Sequence, residues 1–150
     1  MRLTQLLSEE TIEVSLKQHK KESVIEELLV LAIKSGNIND RMKAFEDIMK
    51  REEMMSTGLE HGIAVPHAKT KAADDLTLSL GISKEGIDFD AADDKPSYLF
   101  FMLLAPEDAA GPNVKVLAEI ARITKNKEFC RSLINASSPK EVLQLIDEAE

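Results

Sequence analysis

The run SYLFFMLL, from Ser97 to Leu104, constrains the fold of this chain more than any other stretch. Its nearly continuous apolar residues stand between Pro96 and Pro106. Proline fixes φ and removes a backbone donor, so both ends are stops. The run is short for a helix and full length for a strand. A strand that is apolar on both faces must be covered on both. The run therefore predicts a central, buried strand with layers of structure above and below it.

The remaining sequence supplies those layers. Ser8–Lys17 alternates weakly through Ile12, Val14 and Leu16 and reads as a first strand. Ser23–Lys34 has Val24, Leu28 and Leu31 at helical spacing, with Gly36 and Asn37 as its stop. Asn39 or Asp40 caps a second helix whose apolar face is Met42, Phe45, Ile48 and Met49, with Gly58 as the stop of that region. Leu76–Ile82 alternates, with Leu76, Leu78, Leu80 and Ile82 on one face, and reads as a strand. GIDFD, at Gly86–Asp90, suits a short edge strand or a turn. Asn113–Lys125 is helical, with Val114, Leu117, Ala118 and Ala121 on one face and Ile120 and Ile123 adjoining. A shorter helix spans Lys127–Leu133. Ser138, Pro139 and Glu141 open the last helix with a cap, a first-turn proline and an acid three residues on. This order predicts a single α/β domain over residues 1–150, a mixed β-sheet flanked by helices on both faces.

Charge narrows the function. Acids outnumber bases 27 to 19, a net charge of −8, which argues against a general nucleic-acid role. The same charge suits docking on a basic protein surface. Aromatic content is 4% with no tryptophan, so stacking platforms for bases or sugars are scarce. Apolar runs are too short for direct membrane insertion, and MRLTQLLSEETIE lacks the apolar stretch of a signal peptide. The single cysteine, Cys130, excludes an internal disulfide and fits a reducing compartment. A cytoplasmic location is the expectation.

The chemistry concentrates in REEMMSTGLEHGIAVPHAKT, Arg51–Thr70. Val65 precedes Pro66 and is biased to extended geometry, so His67 is expected at the exit of a strand or extended segment, where α/β sheets place reactive groups. Gly58 and Gly62 permit tight turns or close approach of a ligand. An imidazole there suits proton transfer, metal ligation or nucleophilic attack on phosphorus. Proton transfer lacks a Gly-x-Ser-x-Gly elbow, and metal ligation lacks the helical His-Glu-x-x-His form. Attack on phosphorus needs a hydrogen bond to orient the second ring nitrogen and donors for the phosphoryl oxygens. Arg51, Ser56 and Thr57 lie upstream, and Gly111-Pro112-Asn113 at a helix start offers more. His61 reads as a loop histidine and His19, in QHKKE, as surface.

RE at Arg51–Glu52, STG at Ser56–Gly58, GIAVPHAKT at Gly62–Thr70, GIDFDAADDKP, LLAPED and KVLAEIARI together resemble the phosphotransferase system enzyme IIA domain of the fructose–mannitol type. That family includes the nitrogen-regulatory IIA proteins. The resemblance covers almost the whole chain. It implies a phosphocarrier with a mixed sheet flanked by helices and no dissociable cofactor or metal. Its histidine, matching His67, takes a phosphoryl group from the histidine-containing phosphocarrier protein. The group then passes to a IIB domain of a sugar permease. The positions matching Arg51 and Thr57 lie near the active site. Many members carry a second active-site histidine where this chain has Asn113. Its amide donates a hydrogen bond but carries no positive charge. The alternative is a regulatory IIA-like protein whose phosphorylation state controls protein partners.

Overall fold

The computed structural model describes residues 2–150, the side chain of Ala110 excepted. Its elements are β1 (Ile12–Glu13), α1 (Lys21–Ile33), α2 (Arg41–Met54), β2 (Ile63–Ala64), β3 (His67–Lys69), β4 (Thr77–Ile87), β5 (Ser97–Ala105), α3 (Ala110–Thr124), α4 (Lys127–Ile134) and α5 (Pro139–Ala149). Short 3-10 turns at Leu3–Gln5 and Glu9–Thr11 precede β1.

The apolar run is the central strand. β5 pairs antiparallel with β4 on one side and parallel with both β2 and β3 on the other, while β1 closes the far edge parallel to β4. Alternation then assigns the side chains of β5 to two cores. Leu99, Phe101, Leu103 and Ala105 join a cluster with Val116, Ile120, Phe129, Leu133, Val142 and Ile146, so α3, α4 and α5 cover that face. Phe100, Met102 and Leu104 join Val24, Leu28, Ala44 and Ile48, so α1 and α2 cover the other. The mixed sheet flanked by helices on both faces is thus the observed architecture.

Several elements depart from the sequence reading. The first strand is only Ile12–Glu13, because a bend follows in which the Ser15 N–H donates to the Glu13 carboxylate at 3.3 Å. Leu16 therefore turns to the core opposite Ile12 instead of sharing its face. β4 is longer than expected and absorbs Gly86 and Ile87, so GIDFD is a strand end and a loop, with Phe89 fully buried. Its second face is not solvated. Ser79 donates to the Leu28 carbonyl at 2.9 Å, and a Cβ on Gly81 would sit 2.7 Å from Leu16 Cδ2. Small residues on that face let α1 pack close to the sheet backbone.

Two helix faces are also rotated. α2 buries Ala44, Ile48 and Glu52, whereas Met42 is 83% exposed and Phe45 and Met49 are half-buried. The i, i+4 stripe follows the smallest residue, Ala44, which lets the helix approach β3, and not the largest apolar ones. α3 starts at Ala110, and its buried stripe is Asn113, Val116, Ile120 and Ile123, leaving Val114 at 62% exposure and Ala118 and Ala121 exposed. The caps agree with the sequence: Asp40 accepts from the Lys43 N–H at 3.1 Å and Ser138 from the Glu141 N–H at 3.2 Å. Glu141 itself reaches back to the Ser137 N–H at 3.0 Å.

Candidate functional site

Two short strands, β2 and β3, run beside β5 and are interrupted by Val65 and Pro66. His67 follows β2 and the Val65-Pro66 step and opens β3, opposite Leu103. The break arises because Pro66 has no N–H to give. Its carbonyl still accepts from the Leu103 N–H at 3.0 Å, so the chain stays registered with the sheet. Gly62 turns the chain into β2 with φ of 80°, a conformation open to glycine, and its carbonyl takes the Tyr98 and Leu99 N–H groups at 2.7 and 3.0 Å.

The imidazole of His67 is half-buried, with Nδ1 2.6 Å from the Val65 carbonyl oxygen. A carbonyl only accepts, so Nδ1 carries the proton in this contact. Nε2 is then left with a lone pair in the neutral ring. The arrangement is that of an oriented nucleophile or base.

His67 lines a cleft of 260 Å³ together with Arg51, Met55, Thr57, Leu59 and Leu117. Arg51 lies in the last turn of α2 and donates one guanidinium N–H to the Met55 carbonyl at 3.0 Å, which caps the helix end. Among the described residues it pairs with no carboxylate, so further N–H donors stay available. Four larger clefts, of 540, 570, 430 and 290 Å³, lie elsewhere and do not contain His67. Chemistry, and not volume, singles out the smaller one.

Thr57 is 3% exposed, and both of its donors point at Glu52: the N–H to Oε1 at 2.8 Å and the hydroxyl to Oε2 at 2.7 Å. Its hydroxyl proton is therefore engaged and its carbonyl accepts the Val65 N–H at 3.0 Å. Glu52, 5% exposed, also pairs with Lys21 Nζ at 3.0 Å. Lys21 Nζ reaches Ser56 Oγ at 3.2 Å and stands 4.9 Å from the Phe89 ring centroid. Gly58 is pressed against the backbone of this loop, since a Cβ there would lie 2.8 Å from the Phe89 carbonyl oxygen. Sequence reasoning noted Glu52 only as part of a motif and passed over Lys21. The available signal was an acid on the Ala44–Ile48–Glu52 stripe, at a core register.

Asn113 does not line the cleft. It lies one turn before Leu117 on α3, is 8% exposed, and its Oδ1 is buried without a hydrogen-bond partner among the described residues. His61 is exposed on the loop with φ of 64°, its N–H held by Asp93 at 3.1 Å. Backbone donation from His61 and Lys95 holds the Asp93 carboxyl below its ordinary value. Cys130 is half-buried, and burial pushes its thiol up. Alkylation by iodoacetamide at neutral pH is expected to be slow in the folded protein and fast after denaturation, as read by intact mass.

Among the described residues no group of three or more His, Cys, Asp or Glu side chains converges as a metal site requires. No described helix is long and apolar enough to cross a membrane.

Comparison with known proteins agrees with this fold. Residues 5–149 match the family model of the phosphoenolpyruvate-dependent sugar phosphotransferase system, EIIA 2. The chain is 38% identical over 128 residues to the fructose-specific EIIA component of Haloferax volcanii, covering 85% of this chain and 83% of that protein. It is 34% identical over 148 residues to the fructose-specific EIIABC component of Bacillus subtilis, covering 99% of this chain but only 23% of that much longer protein. In structure it is similar to the nitrogen regulatory protein IIA-Ntr from Neisseria meningitidis, with a TM-score of 0.88 and 30% identity over 96% of this chain and 98% of that one. The fold and the family match together define a protein of the phosphotransferase-system type. The chain belongs to the EIIA 2 family.

Proposed function

We propose that the chain is a phosphocarrier whose His67 accepts a phosphoryl group from the histidine-containing phosphocarrier protein and passes it to a IIB domain of a sugar permease. The observation that carries the reading is the Nδ1–H bond from His67 to the Val65 carbonyl, which leaves Nε2 as the free nitrogen. Nε2 attacks phosphorus, the new N–P bond forms as the donor's N–P bond breaks, and the donor imidazole leaves with that bond's electron pair. The His67 ring becomes cationic, and its Nδ1 proton stays bonded to the Val65 carbonyl dipole. Transfer onward reverses these steps. Arg51 supplies N–H donors for the equatorial oxygens, which is positioning and electrostatic stabilisation without acid–base chemistry. Thr57 acts from beneath the cleft because its hydroxyl is committed to Glu52.

A protein partner, in place of a small substrate, fits the surroundings. Met54, Met55 and Leu59 are 82, 71 and 47% exposed in the segment that follows Arg51, and Val114 is 62% exposed beside Asn113. Large exposed apolar side chains that cluster in one region mark docking surfaces. Flexible methionines fit more than one partner, as a carrier with a donor and an acceptor needs.

Asn113 is assigned a neutral supporting role at the start of α3. Its Oδ1 is buried without a hydrogen-bond partner among the described residues, so it acts from within the protein and not on a docked group. The test is intact-protein mass after incubation with the phosphorylated donor, comparing wild type with Asn113→His. Wild type is expected to gain one acid-labile phosphoryl group. The histidine variant is expected to transfer faster, on the order of tenfold, because a charged neighbour adds about 1.4 kcal/mol of stabilisation. No labelling in either protein would sink the reading.

A second reading is regulatory, with phosphorylation state controlling a protein partner. The likeness to the nitrogen regulatory protein of Neisseria meningitidis favours it. Transfer to a IIB domain discriminates the two: a regulator would take the phosphoryl group and not pass it on.

A further inference from the structure

We infer that Glu52 is a positioning residue for His67, acting through Thr57 and Val65; the inference rests on the phosphocarrier reading and deepens it. Glu52 does not line the His67 cleft, and at 5% exposure it is closed off from any docked protein. Burying a carboxylate is costly unless its oxygens are satisfied and its charge is matched. Here Thr57, in the loop that leads to His67, satisfies the oxygens, and Lys21 at the start of α1 matches the charge.

The contacts form a continuous chain. Lys21 Nζ sets its charge 3.0 Å from Glu52 Oε1. Glu52 holds the Thr57 N–H at 2.8 Å and the Thr57 hydroxyl at 2.7 Å. The Thr57 carbonyl holds the Val65 N–H at 3.0 Å. The Val65 carbonyl holds His67 Nδ1 at 2.6 Å. Each link fixes the orientation of the next peptide or side chain. Around it, Ser56 Oγ donates to the Phe89 carbonyl at 2.9 Å and the Ala92 N–H donates to the Gly58 carbonyl at 3.0 Å, so the loop is pinned on both sides of Thr57. A core register occupied by leucine would pack equally well under α2 but would hold neither donor of Thr57. The carboxylate thus sets where the Val65 carbonyl points, and through it which nitrogen of His67 is bare.

The test separates positioning from bulk stability. Glu52→Ala removes both acceptors; Glu52→Gln keeps an acceptor for the Thr57 N–H. In the alanine variant the rate constant of transfer from the phosphorylated donor is expected to fall about tenfold or more, since misplacing a reacting group by 1 Å costs on the order of a hundredfold. KM for the donor protein is expected to stay unchanged, because Glu52 touches no partner. Long-range 15N–1H correlation spectra of unphosphorylated His67 are expected to change from a single Nδ1–H tautomer to a mixture. The glutamine variant is expected to recover most of both signals. A folded alanine variant with native rate and native tautomer overturns the inference, as does a glutamine variant no better than alanine. Should the alanine variant fail to fold, Thr57→Val, which removes only the hydroxyl link, is judged by the same tautomer spectrum. If wild type takes no phosphoryl group at all, the phosphocarrier reading fails, while the tautomer arm still decides whether Glu52 positions the ring.

Discussion

Replacing His67 by alanine is expected to abolish phosphoryl uptake and to leave the fold intact. The loss follows from chemistry: no other group in the 260 Å³ cleft offers a nitrogen lone pair, since Arg51 is a permanent cation and the remaining lining is hydroxyl or apolar. The intact fold follows from position. His67 is half-buried, and its backbone pairing with Leu103 in β5 does not depend on the ring. Removing the ring frees the Val65 carbonyl at a site that water reaches, which costs about 1 kcal/mol. The measurement is labelling by the phosphorylated donor alongside a thermal melt. Retained labelling on His61, the exposed histidine of the same loop, would move the nucleophile. Loss of both labelling and folding would leave the ring structural.

The second large effect concerns the sheet. Phe100→Ala is expected to destabilise the protein by about 3–5 kcal/mol, and so to lower Tm by on the order of 10 °C in a domain of this size. Phe100 is fully buried at the centre of β5, opposite Ala64 in β2, and its ring meets Phe89 edge-on at 5.3 Å between centroids. Ala64 and Ala68 beside it are too small to collapse into the void. Phe89 in turn faces the Lys21 ammonium and supplies the carbonyl that holds Ser56. The cavity should therefore be felt in the loop that carries Thr57. A melt within about 2 °C of wild type would show that the core repacks around the loss.

The parts of the fold written in long, one-directional patterns were legible. The Pro96-to-Pro106 run gave the central strand, and β4 and the helix stops followed from alternation and capping. What escaped had local pattern at odds with tertiary packing. In α2 the apolar residues Met42 and Phe45 suggested one face, but Ala44 allows the closer approach and wins the core. In α3 a polar residue, Asn113, occupies the first turn of the buried stripe, so apolarity alone pointed to the wrong side. For the site, His67, Arg51 and Thr57 were singled out by spacing and by family resemblance, and the structure lines one cleft with all three. The roles inside that cleft were less visible. A threonine beside a candidate nucleophilic histidine suggests a donor to the substrate, yet its hydroxyl faces inward to Glu52. Whether a hydroxyl points up or down is decided by a carboxylate five residues earlier, and no local pattern carries that information.

The partner of His67 Nδ1 is a main-chain atom, the carbonyl of Val65. A side-chain acceptor can be deleted by one codon change; a peptide oxygen cannot. Any residue able to adopt extended geometry before Pro66 presents the same oxygen in the same place. The atom that leaves Nε2 as the bare nitrogen is thereby written into the path of the backbone, and position 65 is free to vary in side chain according to what the core beneath it needs. Mutation then reaches the tautomer by bending that path, from Thr57 in the loop or from Glu52 in α2.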